Sequence, residues 1–277
     1  MNSPRSHLVI GSLLLIIVVV ACSLSPASSS TKSTSIPAAA TNPPASAATA
    51  TNPPVSASAG GGGCTNAYFP TSSGSTWSYS SRGSVLGPYT YTSTVADVSD
   101  TGFTVNDLTS LGGGTSSLVK WNCQDGNLAA LDSGSDSLSV STSKVKITST
   151  SITADGYNVP NTFAAGTTWT EKVTVIGTVQ SGTRTMDSQI AATLNCSAAG
   201  AESITVPAGT FDTVKSSCTE TIGVSEIVKA TPIPAGVPSN LDITNWYAKG
   251  VGLVKSVRVN NSAGGTTTVE LTQYTIK

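Results

Sequence analysis

From Cys64 to Lys277 no segment carries a helical period, and the apolar residues instead alternate or cluster in short runs rich in β-branched and aromatic side chains. Such runs occupy 76–81, 89–98, 102–108, 117–123, 138–148, 168–179, 184–196, 211–228 and 252–259. Turn signals separate them: Asp100-Thr101-Gly102, Asp125-Gly126-Asn127, Asp155-Gly156, Ser181-Gly182 and Gly264-Gly265. Side chains alternate between the faces of a strand, so this pattern buries one face of each run, and the short connections favour antiparallel neighbours. The expectation is one all-β domain over 64–277, built as a large curved antiparallel sheet or a half-open barrel.

The chain before this domain has a different chemistry. Arg5 and an almost unbroken apolar run from Leu8 to Ala21 lead to Val19-Val20-Ala21-Cys22. A membrane-spanning helix needs about 20 apolar residues, so the run fits the core of an export signal better than a permanent span. An uncleaved anchor is the minor alternative. The four residues ending at Cys22 resemble the bacterial lipoprotein signal, in which a cysteine is acylated and becomes the first residue of the mature chain. That resemblance implies a signal peptide over 1–21, lipid on Cys22, and the membrane as a partner. It places the protein outside the cytoplasm, anchored to the cell membrane or the outer membrane of a bacterium. Ser23 in place of a retaining Asp resembles the permissive signal for outer-membrane sorting.

Residues 22–63 are dominated by Ser, Thr, Ala and Pro and end in Gly60 to Gly63, with Thr41-Asn42-Pro43-Pro44 returning as Thr51-Asn52-Pro53-Pro54. With almost no large apolar side chains, such a segment cannot offset the entropy of ordering, and it reads as a disordered tether. A flexible tether of that length spans about 35 Å on average.

Within the domain, Gly74-Ser75-Thr76-Trp77 and Gly166-Thr167-Thr168-Trp169 are alike, each a glycine turn leading into a strand with an early Trp. The preferred reading of each Trp is a core anchor; the alternative joins Trp77, Trp121, Trp169 and Trp246 into a platform for sugar rings. Ile204 to Phe211 carries Val206-Pro207-Ala208-Gly209, a hairpin tip, and the Trp246 to Lys255 passage holds Gly250 and Gly252 where a strand must bend or another backbone approaches.

Three marks, Tyr68-Phe69-Pro70 with Gly74 to Trp77, Val206-Pro207-Ala208-Gly209-Thr210-Phe211, and Trp246-Tyr247-Ala248-Lys249-Gly250-Val251-Gly252-Leu253-Val254-Lys255, together resemble a β-rich group of exported bacterial lipoproteins without an assigned activity. The resemblance spans most of Tyr68 to Lys277. It implies a strongly curved sheet, of the half-barrel kind that holds lipid in lipoprotein carriers, and it carries over no catalytic residue.

Beyond Cys22 four cysteines remain, Cys64, Cys123, Cys196 and Cys218, an even number in a chain that has left the reducing cytosol. If the strands flanking the tip pair about Pro207, opposed residues have numbers summing to 414, which sets Cys196 against Cys218. Gly200 is the place where a bulge would shift that register. Cys64 and Cys123 are then left to pair.

Several chemistries lack their residues. The only histidine, His7, is lost with the signal, which removes imidazole-based catalysis from the mature chain. No close cysteine pair offers a zinc site. Asp132-Ser133-Gly134-Ser135-Asp136 reads as a polar loop before it reads as a calcium cage. Asp97, Asp187, Glu202, Glu220 and Glu226 are scattered, and no pair of acids is placed by sequence at a hydrolytic separation. A formal net charge of −1 without a basic run gives no footprint for nucleic acid. The expectation is a non-catalytic lipoprotein, without cofactor, that binds an apolar or lipid ligand in a concave sheet. The alternatives are a glycan or cell-wall binding module and a His-free carboxylate hydrolase. Aliphatic side chains, exposed rings or paired carboxylates on the concave face distinguish the three.

Overall fold

The computed structural model describes residues 64–84, 87–111, 114–131, 145–181, 183–228, 231–234, 238–262 and 264–277. The expected signal peptide, Cys22, the tether and the Asp132 to Asp136 loop lie outside the described residues. The strands are β1 (Thr76–Arg82), β2 (Tyr89–Ala96), β3 (Gly102–Thr109), β4 (Thr115–Gln124), β5 (Asn127–Leu131), β6 (Val145–Gly156) and β7 (Thr168–Ser181). They continue with β8 (Arg184–Val206), β9 (Gly209–Val228), β10 (Thr231–Pro234), β11 (Ser239–Ala248), β12 (Gly252–Asn260) and β13 (Thr266–Thr275).

The strands form one antiparallel sheet in the order β5-β4-β3-β2-β1-β13-β12-β11-β9-β8-β7-β6, with β10 added to β9. The first and last strands lie side by side, so the amino-terminal meander and the carboxy-terminal strands share one surface. The two edges of the path then meet. Leu128 of β5 bridges Val159, with Leu128 N–H donating to Val159 O at 2.9 Å and Val159 N–H to Leu128 O at 3.0 Å. The result is the expected curved antiparallel sheet, nearly closed into a barrel. Closure satisfies edge groups that an open sheet leaves unpaired.

The seam is held from outside the ladder. Buried Asn66 donates through Nδ2 to Gly126 O at 2.7 Å and to Pro160 O at 3.1 Å, stitching the β4–β5 turn to the chain after β6. A disulfide joins Cys64 to Cys123 beside it, with Cα atoms 5.0 Å apart. A second disulfide joins Cys196 of β8 to Cys218 of β9, directly opposite one another in the ladder.

The two similar Trp passages are alike in structure. Gly74 N–H donates to Val95 O and Val95 N–H to Ser75 O, just as Gly166 N–H donates to Ala198 O and Ala198 N–H to Thr167 O. Both glycines have positive φ, 81° and 82°. Each turn delivers its Trp inward at the start of a strand, and both indoles are core residues, 3% and 6% exposed.

The β8–β9 hairpin outruns its neighbours. Past the Thr213–Ala248 pair it has no further partner on β11, and its tip reaches β13, where Ala208 N–H donates to Leu271 O at 3.1 Å. Phe211, 2% exposed, packs edge-on against Tyr274 there, ring centroids 5.9 Å apart.

Candidate functional site

Strand alternation places every second residue inside the barrel, and these residues surround a cavity of about 170 Å³. The lining comes in i, i+2 pairs: Trp77 and Tyr79 from β1, Tyr91 and Ser93 from β2, Val105 and Asp107 from β3, Val119 and Trp121 from β4. From the other side come Glu171 and Val173 of β7, Ala192 and Leu194 of β8, Glu220 of β9, and Ile243, Asn245 and Tyr247 of β11. Leu253 and Arg258 of β12, Phe69, and Ala130, Asn158 and Val159 at the seam also line it. Tyr247 follows Ile243 and Asn245 inward by regular alternation, and the bulge at Val254 of β12 shifts that strand's phase so that Leu253 joins Arg258 on the inner face, opposite Tyr247. Gly252 allows this approach: its φ is 107°, and a Cβ there would lie 3.3 Å from Trp77 Nε1.

The wall is neither aliphatic nor a row of exposed rings. Six aromatic rings share it with three carboxyl groups and one guanidinium, Asp107, Glu171, Glu220 and Arg258. Tyr79 and Tyr91 stack with centroids 4.8 Å apart, and Trp121 lies flat on Phe103 at 5.8 Å and 5°. Ser93 Oγ–H donates to Asp107 Oδ1, its cross-strand partner. Among the buried polar atoms of the wall residues, Trp121 Nε1–H and Asn245 Oδ1 have no hydrogen-bond partner within the protein.

Glu171 stands at the end of the β6–β7 ladder, opposite Gly156, the last residue of β6. Its Oε1 accepts the N–H of Ala130 in edge strand β5 at 2.9 Å, so the side chain substitutes for a missing strand at the seam. Burial pushes its carboxyl up to about 8, against the lowering effect of the Ala130 N–H and the Asn158 side chain, with the Glu220 charge adding to the rise. At neutral pH Glu171 is therefore mostly a neutral carboxylic acid. Glu220 lies one strand further, across Leu194 in the same row of the ladder. Burial also pushes the Tyr247 hydroxyl up to about 12, opposed by Arg258 and by the hydrogen bond from Asn245.

The four tryptophans do not form one platform. Trp77 and Trp121 line the cavity. The Trp77 indole N–H donates to Val251 O. Trp169 is packed edge-on against Phe163, with its N–H on Asn158 O at 3.0 Å. Trp246 lies between Lys215 and Lys255, whose Nζ atoms are 5.4 and 5.7 Å from its ring centre, and donates to Glu202 Oε2 at 3.0 Å. That tryptophan belongs to a charged cluster away from the cavity. Among the described residues no three His, Cys, Asp or Glu side chains gather as a metal site would require.

Sequence reasoning left Asp107, Glu171, Asn245 and Arg258 out of the site. For two of them the signal was present: Glu171 falls in phase between Trp169 and Val173, and Asn245 between Ile243 and Tyr247, so each occupies an inward position.

A family model described as DUF3108-like matches residues 114–271, more than half of the chain. No curated protein matches it. Among solved structures, a candidate lipoprotein from Parabacteroides distasonis is similar with a TM-score of 0.50 and 19% identity, over 76% of this chain and 99% of that one. A candidate exported protein with a YmcC-like fold from Bacteroides fragilis is similar at 16% identity and a TM-score of 0.47, over 76% and 100%. At these identities the likeness is one of fold.

Proposed function

The chain belongs to the DUF3108-like family, and we propose that it is a lipid-anchored envelope protein whose barrel binds a small ligand in its interior without acting on it chemically. The anchor is the lipid on Cys22, and residues 22–63 hold the barrel away from the membrane. The lipoprotein and exported descriptions of the two fold neighbours support an extracytoplasmic location. The binding reading is carried by one observation, a cavity of about 170 Å³ walled by six aromatic rings and by polar and charged groups. Of the expected ligand classes, the mixed wall favours a glycan-like molecule over an acyl lipid.

The anchor is tested by mass spectrometry of the amino-terminal peptide of the full chain taken from membranes. Acylated Cys22 is expected, and Cys22→Ser should release the protein from the membrane fraction. An unmodified Cys22 in wild-type membranes would end the lipoprotein reading.

The pair Glu171 and Glu220 favours a second reading, a His-free carboxylate hydrolase, since one acid is held neutral next to another. The Glu171 contact with Ala130 weighs against it, because that carboxyl has a structural partner at the seam. Turnover of a glycoside that Glu220→Gln abolishes without loss of fold would establish the second reading over the first.

A further inference from the structure

We propose that the Ala130 end of β5 is a side flap of the barrel, latched by the Glu171 carboxyl, and that loss of the Glu171 proton releases it. The two ends of β5 are held differently. At the Asn127 end the seam has many attachments. Asn66 bonds Gly126 O and Pro160 O, Asn161 N–H donates to Asn127 Oδ1 at 2.9 Å, and Asn161 Nδ2 donates to Asp125 O at 3.2 Å. Leu128 and Val159 exchange two hydrogen bonds, and Cys123, opposite Leu128 in the ladder, is tied to Cys64. Past Leu128 the seam-side bond among the described residues is the one from Ala130 N–H to Glu171 Oε1. The strand is therefore hinged at 125–128 and held at its far end by one carboxyl, while its other edge stays on β4 through Trp121–Ala130 and Lys120–Leu131.

Ala130, Asn158, Val159 and Glu171 are all wall residues of the cavity, so lifting the Ala130 end opens the wall sideways and brings Glu171 into water. In the closed barrel that side chain is buried, and among the described residues its partners are the Ala130 N–H and the Asn158 side chain, with no cation beside it. The titratable groups facing it across the cavity are Glu220 of β9, Tyr247 of β11, Arg258 of β12, Asp107 of β3, and Tyr79 and Tyr91 of β1 and β2. Glu220 opposes the ionisation of Glu171, and Glu171 in turn opposes that of Tyr247. A carboxylate is costly to bury without a cation, and the open state lets water hydrate it. The Ala130 N–H favours the charged form, but burial outweighs it.

The closed-state carboxyl titrates at about 8, against 4.5 for an exposed one. Above 4.5 opening releases a proton, so closure is favoured at low pH. The opening constant then rises about tenfold per pH unit and levels off above about pH 8. The latch does not depend on what the cavity holds.

Hydrogen exchange of the full-length protein in detergent tests this, read residue by residue from pH 5 to 8.5 and divided by the intrinsic rate at each pH. Protection of the Ala130 amide is expected to fall about tenfold per pH unit up to about pH 8. It should be lower than that of the β8–β9 ladder amides and unchanged in 1 M urea, as local opening requires. Glu171→Gln, which keeps an acceptor for Ala130 without a titrating proton, should flatten the profile. The wild-type profile decides by itself if that variant does not fold. Ala130 protection independent of pH, or a slope that Glu171→Gln retains, would overturn the latch. Ala130 protection that equals that of the β8–β9 ladder and falls with it in urea would overturn the flap, because the strand would then open only with the whole barrel.

Discussion

Ala130 N–H donates to Glu171 Oε1 across the seam at 2.9 Å, so a buried carboxyl takes the place that a neighbouring strand's carbonyl would hold. The carboxyl is pushed up to about 8, mainly by burial. A folded-state value above the unfolded one means that the folded protein binds the extra proton, and its stabilising effect is fully present below the ordinary carboxylate value of 4.5 and lost as pH rises through about 8. Over that window Glu171 lowers unfolding free energy with rising pH by up to about 1.4 kcal/mol per pH unit. Glu171→Gln keeps an oxygen for Ala130 and should remove this slope. Glu270, held below its ordinary value by Arg82, acts in the opposite sense, losing stability as pH falls, and is common to both proteins. Urea unfolding of each at pH 5, 6.5 and 8 checks the difference; parallel pH curves would show that Glu171 is not buried as described.

Asn66 is the stitch between the two edges of the sheet. Asn66→Ala leaves Gly126 O and Pro160 O without their donor. A loss of about 2 to 3 kcal/mol is expected, and the amides of Leu128 and Val159 should lose hydrogen-exchange protection before the rest of the sheet. Protection falling uniformly would mean that the seam does not open as a unit.

The two disulfides differ in the length of chain they close, 59 residues for Cys64–Cys123 and 22 for Cys196–Cys218. Restriction of the unfolded chain then contributes about 4 kcal/mol for the first and about 3 kcal/mol for the second. The Cys64→Ala, Cys123→Ala pair should therefore melt below the Cys196→Ala, Cys218→Ala pair, and more so because it also frees the seam. The reverse order in a thermal unfolding series would show that native packing at β8–β9 outweighs loop entropy.

Gly252 combines φ of 107° with a close approach to Trp77. Gly252→Ala should cost about 1 to 2 kcal/mol, since the backbone strain remains even if the indole yields. A variant as stable as wild type would mean that the β11–β12 turn relaxes freely.

How far these relationships could be read from the chain depends on their range. Runs of alternating residues located β1 to β4, β7, the first half of β8, most of β9 and β12, because a half-buried strand writes its period directly into the sequence. β5 is five residues, Asn127-Leu128-Ala129-Ala130-Leu131, and too short to show a period. β11 and β13 interleave Asn, Asp, Thr and Gln with their apolar residues and stand in the sheet through their neighbours.

The β8–β9 ladder shows how two local departures cancel. The turn pairs Val206 with Gly209, numbers summing to 415 and not 414, and the bulge between Ala198 and Gly200 removes one, so Cys196 meets Cys218 at 414. The cavity was less legible. Which inward rows face each other is fixed by closure at Leu128 and Val159, a contact of two edges that no local pattern encodes.

Native mass spectrometry of the full chain, extracted from its membrane in mild detergent, tests the binding account most directly. Ala192→Phe, which fills the cavity from β8, is run beside wild type. The expected result is one small adduct per wild-type chain, released on activation and absent from Ala192→Phe. A wild-type barrel carrying no adduct, or an adduct that Ala192→Phe retains equally, would contradict a ligand held in the barrel interior.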